Sequence, residues 1–168
     1  MDRPICDHVL IALRKIIQAI DLNSRQLVKR VGLTGPQLLI LQEISSLGKV
    51  TVGEIAQAVS LSQATVTGIL DRMEKRELIA RKRSEHDKRK MMIRITPSAL
   101  QVLKAAPPLM QEAFEERFTS LPEWEQTMIL SALQRLVSIM DAKAIQAAPF
   151  LATSAIDGQA ENSSRTEC

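Results

Sequence analysis

Apolar residues recur at helical intervals through the first thirty positions. Val9, Leu13, Ile16, Ile17, Ile20, Leu27 and Val31 keep a helical spacing, with steps of three, four or seven except at the adjacent Ile16 and Ile17, the pattern that lines one side of a helix. They predict a long helix from Asp7 to about Val31. Leu10 and Ile11 widen the apolar face beyond one stripe, and a helix apolar over so much of its girth must bury more than one side. In a chain of 168 residues, a second subunit is a natural cover for the extra face. Gly32 stops this helix. Thr34 is placed to cap the next one, with Pro36 in its first turn. Leu38, Leu39, Leu41, Ile44 and Leu47 form its core face, and Gly48 ends it.

Thr51-Val52-Gly53-Glu54 has the form of a capping box, in which the Thr hydroxyl and the Glu carboxylate each satisfy a free backbone N–H. Ile55, Ala56 and Val59 then face inward on a short helix. Ser60-Leu61 is a turn, and Ser62 caps a helix running to about Arg76. The period then changes. Leu78 to Arg83 and Lys90 to Thr96 read as two short strands, with Met91, Ile93 and Ile95 alternating against Met92 and Arg94. Thr96-Pro97 starts another helix, which must break at Pro107-Pro108 before resuming toward Phe118. A last helix is expected from near Pro122 to about Gln146, with Ile129, Leu133, Leu136, Val137 and Met140 on its apolar face. The polar tail beyond Pro149 reads as disordered.

The helix capped by Ser62 separates its faces clearly when residues are placed at steps of about 100°. Val66, Ile69, Leu70 and Met73 gather on the side to be buried. Ala64, Gly68, Asp71 and Lys75 lie opposite, with Thr65 and Arg72 on one flank and Gln63 and Thr67 on the other. The exposed face is small and uncharged over its first two turns. An exposed Gly inside a helix costs about 1 kcal/mol relative to Ala, so something should compensate for Gly68. Close approach to the floor of a DNA groove does so. Ser and Thr hydroxyls bond to bases or phosphates, Gln63 suits adenine, and Arg72 suits phosphate. An ordinary amphipathic helix in a bundle is the competing reading of the same pattern.

Composition sharpens this picture in two ways. Apolar residues are 45% of the chain and aromatics only 2%, so the core must be Leu, Ile, Val, Ala and Met, a mainly helical mixture. The net charge is only +3, but it is unevenly spread. Asp71 to Arg94 holds ten Lys or Arg against five Asp or Glu, and six of the ten residues from Arg81 to Lys90 are basic. A local basic block on a near-neutral body suits a polyanion partner, although charge alone leaves a solvated loop equally open. A basic hairpin tip beside a recognition helix can lie along the DNA backbone or enter the minor groove, where Arg is favoured. Asp87 is expected to brace Arg89 or Arg83 and fix the shape of the tip.

Several motifs in order now identify a resemblance. Asp87-Lys88-Arg89, followed after a strand by Ile95-Thr96-Pro97, resembles the wing signature of the MarR family of bacterial regulators. Leu33-Thr34-Gly35-Pro36-Gln37, Thr51-Val52-Gly53-Glu54-Ile55-Ala56, Ser62-Gln63-Ala64-Thr65-Val66-Thr67, Leu70-Asp71-Arg72-Met73-Glu74-Lys75 and Leu78-Ile79-Ala80-Arg81 resemble the same family in sequence order. The first helix, with Leu33 to Gln37, also resembles a branch that includes regulators of ectoine-type solute synthesis.

The resemblance implies a mainly α fold with a small β-hairpin wing: a winged helix-turn-helix flanked by dimerisation helices. The expected division is a dimerisation helix over 1–32, a DNA-binding domain over 33–97, further dimerisation helices over 98–147 and a tail over 148–168. It implies a homodimeric repressor on a pseudo-palindromic operator, released by a small-molecule effector. Residues expected at duplex DNA are Thr34, Ser62, Gln63, Ala64, Thr65, Thr67, Gly68, Arg72, Lys75, Arg81, Arg83, Lys88 and Arg89. No cofactor or metal is implied.

Other classes fit less well. Cys6-Asp7-His8 is too compact for a metal site, no Gly-rich phosphate loop occurs, and the only other histidine is His86, so an enzyme is not expected. A helical module binding RNA or a protein is disfavoured by the lack of surface aromatics for base stacking. Redox-sensing members of the family carry a reactive cysteine within the first helix. Cys6 only borders it, which favours an inert thiol. No apolar run approaches the roughly 20 residues of a membrane span, and Met1-Asp2-Arg3-Pro4 does not open a secretory signal. A bacterial cytoplasmic location is expected, with the nucleoid as the bound site.

Overall fold

The computed structural model of the protein describes residues 4–83, 91–145, 147 and 151. The sequence expectations for the hairpin tip, including Asp87, Lys88 and Arg89, and for nearly all of the tail lie outside them. Two compact units divide at the proline pair, one ending at Pro107 and the other spanning Pro108–Leu151.

The first unit runs α1 (Pro4–Val31), α2 (Gly35–Leu47), α3 (Val52–Ala58), α4 (Gln63–Lys75), β1 (Ile79–Arg83), β2 (Met91–Ile95) and α5 (Pro97–Ala105). The element starts follow local chemistry. The backbone N–H of Thr34 donates to Gln37 Oε1 at 3.1 Å ahead of α2. At α3, the N–H of Thr51 donates to Glu54 Oε2 at 2.7 Å and that of Glu54 returns to Thr51 Oγ1 at 3.4 Å, so both halves of the expected capping box form. The Ser62 hydroxyl accepts from the N–H of Thr65 at 3.1 Å, and the Thr96 hydroxyl from that of Ala99 at 3.3 Å.

Leu33, Leu38, Ile40, Leu41, Ile44, Ile55, Val66, Leu70, Met73, Ile93 and Ala99 have no exposed surface and make the centre of the core. Burying such side chains contributes about 1.5–3 kcal/mol each, and they come from α2, α3, α4, β2, α5 and the turn before α2. α4 packs on both α3 and β1, and α2 on β2 and α5.

β1 and β2 pair antiparallel, with Ile79 opposite Ile95, Arg81 opposite Ile93 and Arg83 opposite Met91. Residues facing each other across a rung share a face, so Ile79, Arg81 and Arg83 lie on the side of the buried Ile93. Val50 adds an isolated antiparallel bridge to β2: its N–H donates to Ile93 O at 3.1 Å, and the N–H of Ile93 returns to Val50 O at 2.7 Å.

α1 stands apart from this core. Leu27 is its buried residue, while Val9, Leu10, Ile11, Ile16, Ile17, Leu22 and Val28 are exposed.

The second unit contains α6 (Met110–Thr119), α7 (Glu123–Ile139) and a short 3-10 turn, Ala142–Ala144. The rings of Phe114 and Phe118 stack with centroids 5.3 Å apart. Within the expected apolar face of α7, Ile129 and Leu136 are half-buried and Leu133, Val137 and Met140 exposed. This helix ends earlier than its pattern predicts, at Ile139 rather than near Gln146. Asp141 takes a left-handed conformation with φ 52°, which a short carboxylate side chain tolerates better than most. No proline or glycine marks that stop in the sequence.

Candidate nucleic-acid interface

The caps at Thr51 and Ser62 fix two short helices, α3 and α4, around a tight turn in which Ser60 takes a positive φ of 53°. α4 buries Val66, Ile69, Leu70 and Met73, the four residues its pattern assigned inward. That fixes its rotation. Ser62, Gln63, Ala64, Thr67, Asp71, Arg72 and Lys75 are exposed, and Thr65 and Gly68 are partly so.

The polar groups at the start of α4 are partly engaged with each other. Ser62 Oγ and Thr65 Oγ1 lie 2.8 Å apart. Two hydroxyls share that contact and it uses one proton, so one O–H is left for an outside acceptor. Thr67 Oγ1 donates to Gln63 O at 2.7 Å, which leaves its lone pairs available. The amide Nε2 of Gln63 lies 3.4 Å from where a Cβ on Gly53 of α3 would stand, so Gln63 rests along the first helix of the pair.

Gly68 is the informative position. A Cβ built there meets nothing within 4 Å, and its φ is not in the left-handed range. The folded chain therefore has no steric or conformational need for glycine at this point. An alanine would improve the helix by about 1 kcal/mol.

The wing is tied to α4 through Arg81. Its Nη2 lies 2.7 Å from Asp71 Oδ1 and its Nη1 3.4 Å from Glu74 Oε2. Both are ion pairs, and the buried Arg81 Nε has no hydrogen-bond partner. The guanidinium that the sequence placed at DNA thus sits between wing and helix, its side chain only 21% exposed. The alternation of β1 carries the signal for this, since Arg81 shares a face with Ile79. Arg83 is exposed near the end of the hairpin. Thr34 is half-buried ahead of α2.

Two contacts have no counterpart in the sequence reading. Thr96 Oγ1 and Ser98 Oγ donate to the carbonyl of Glu77 at 2.7 and 3.0 Å, pinning the turn between α4 and the wing. Arg76 Nη1 donates to Gly32 O at 2.8 Å. Among the described residues, Arg72 and Lys75 have no ion-pair partner, no three metal-ligating residues gather, and no helix is long and apolar enough to cross a membrane.

A helix pair joined by a tight turn, followed by a hairpin braced against the second helix, defines a winged helix-turn-helix. Residues 33–91 match the model of the MarR family, the family whose motifs that segment resembles. It is similar to the HTH-type transcriptional regulator YsmB of Bacillus subtilis, 29% identical over 79% of this chain and 90% of that one. It is equally similar, at 29%, to the HTH-type transcriptional repressor NicR of Pseudomonas putida over 74% of this chain and 79% of that one. The fold is shared with ZitR of Lactococcus lactis, solved as a cysteine-to-serine mutant, with a TM-score of 0.58 and 21% identity over 83% of this chain and 99% of that one. The protein is a DNA-binding transcription regulator and not an enzyme.

Proposed function

We propose that this regulator acts as a homodimeric repressor, placing α4 of each subunit in a major groove and each wing toward the adjacent minor groove. The observation that carries the placement of α4 is Gly68: a helix-weakening residue on an open face where the protein itself has no use for it. Side chains there would hold the helix off the groove floor. Ser62, Gln63, Ala64, Thr65 and Thr67 then stand nearest the bases and sugar-phosphate edges, with Arg72 and Lys75 toward phosphates. Thr34, Arg83, Lys88 and Arg89 complete the proposed contacts to the backbone and minor groove. Arg81 contributes by holding β1 against α4, and Asp87 by bracing the tip.

The exposed apolar residues of α1 support the dimer, with 1–32 and 98–147 as the pairing segments and 33–97 as the DNA-binding domain. Two-fold symmetry then calls for a pseudo-palindromic operator with half-sites about one helical turn apart. Repression is in keeping with the likeness to NicR. Release by a small-molecule effector, and a cytoplasmic, nucleoid-bound location, rest on the family likeness.

Fragments of host DNA selected by the full-length protein, followed by fluorescence anisotropy on the selected duplex, test this reading. The Gly68→Leu variant should keep its helical circular dichroism and lose specific binding by at least about 100-fold, the cost of a misfitted base contact or two. A folded Gly68→Leu protein that binds the duplex normally would remove that face from the groove.

A further inference from the structure

We propose that Arg76 is a positioning residue for operator recognition: it fixes the angle between α4 and α1, and through it the separation of the two recognition helices in the dimer. The inference rests on the homodimer reading above and adds to it the element that sets the spacing.

Arg76 is the C-cap of α4. Its Nη1 reaches across 44 positions of sequence to the carbonyl of Gly32, 2.8 Å away. Gly32 stands just past the end of α1 with φ +70°, and its N–H donates to Val28 O at 2.8 Å. This is a left-handed helix terminus of the kind that favours glycine. A Cβ on Gly32 would come within 3.1 Å of Arg76 Nη2, so the guanidinium lies directly against the bare glycine. A cation at the C-terminal end of a helix also meets the negative end of its dipole.

Leverage gives this contact its importance. α1 has 28 residues, a length of about 42 Å at 1.5 Å per residue. Its packing on the first unit is sparse, with Leu27 its buried residue, so few side chains fix its direction. A tilt change of about 5° at the Gly32 end displaces the other end by about 4 Å, close to the 3.4 Å rise of a DNA base step. In a dimer joined along α1, loosening this end changes the distance between the two α4 helices by a comparable amount. Arg76 lies at the end of α4 remote from Ser62, and its guanidinium is directed to a carbonyl of its own chain. Both features suit a brace better than a phosphate contact.

The test uses full-length protein and Arg76→Ala, Arg76→Gln and Arg76→Lys. A duplex selected by wild-type protein from a random pool is remade with one or two base pairs added or removed at its centre. Binding is measured by anisotropy over a range of salt, and hydrogen exchange is followed at residues 28–33 in the free proteins. Arg76→Ala should show faster exchange at Gly32 and bind the selected duplex about tenfold more weakly, within the range seen for residues that couple without touching ligand. It should discriminate less between the selected and altered spacings, at an unchanged salt slope. Arg76→Lys, which keeps a donor and a charge, should fall between. General destabilisation would not flatten a spacing profile. A wild-type spacing profile in a folded Arg76→Ala or Arg76→Gln protein overturns the proposal, as does a salt slope reduced by about one unit, the mark of a direct phosphate contact. Wild-type protein that binds its duplex as a monomer, or binds none, overturns the homodimer reading and the spacing role with it. The exchange at Gly32 still judges the brace on its own.

Discussion

Glu77 occupies a backbone conformation that suits glycine. Its φ is 55°, a region that costs a residue with a Cβ about 1–2 kcal/mol. Its carbonyl holds the hydroxyls of Thr96 and Ser98, and those bonds involve only the backbone of Glu77. Glu77→Gly should therefore keep the turn and raise stability by about 1 kcal/mol, after the extra freedom of glycine in the unfolded chain is subtracted. A higher urea midpoint at unchanged slope is the expected result. Thr96→Val removes both the cap of α5 and the clasp on this turn, and should lower stability by about 1–2 kcal/mol in the same assay. Gly68 works in the opposite sense to Glu77. Gly68→Ala should raise the melting temperature, because the added methyl meets open space, while weakening binding to the selected operator. A gain in one and a loss in the other, measured on one preparation, separates folding from function at a single carbon.

Arg81 is where the elements meet. Wing and recognition helix are joined by its ion pairs to Asp71 and Glu74, whose side chains are 50% and 42% exposed. Solvent screening limits such a pair, and a double-mutant cycle on Arg81→Met and Asp71→Asn should give a coupling of about 0.5–1 kcal/mol in stability. The effect on DNA binding should be the larger one. Asp71→Asn removes a negative charge from the proposed DNA-facing side of α4 yet is expected to weaken binding, because the wing loses its anchor. Tighter binding would count against the anchoring role. These elements were legible in the sequence to different degrees. The four inward residues of α4, the capping box at Thr51 and the break at Pro107-Pro108 follow from spacing and local chemistry, which act over one turn of chain. The bridge at Val50, the hold of Arg76 on Gly32 and the end of α7 at Ile139 depend on partners far along the sequence or on a left-handed aspartate. Periodicity is silent about both. Arg81 lies between these cases: its alternation shows the face, but not the carboxylates awaiting it.

At the scale of the molecule, the exposed apolar residues of α1 are the least satisfied surface in the first unit. Ile16 and Ile17 are 51% and 61% exposed, on a helix that otherwise ends in charged residues. Replacing both with Asp should leave the core of 33–105 folded, since neither side chain belongs to it, and should turn a dimer into a monomer in sedimentation velocity. Binding to a single half-site should change little, whereas binding to the paired site should fall by two orders of magnitude or more as the second contact ceases to be intramolecular. A variant that stays dimeric would move the pairing surface elsewhere.

The register of the wing carries a consequence for how relatives of this protein can differ in length. Arg81 reaches α4 only because it is an even number of residues from Ile79 and stands opposite Ile93. Loss of one residue between Ile79 and Arg81 would turn the guanidinium outward and bring a neighbour to the inner face. Ser84 to Lys90 join the two strands in sequence, and a gain or loss there leaves the parity of the described rungs unchanged. Drift in wing length should accumulate in that stretch, with the paired rungs constant in number.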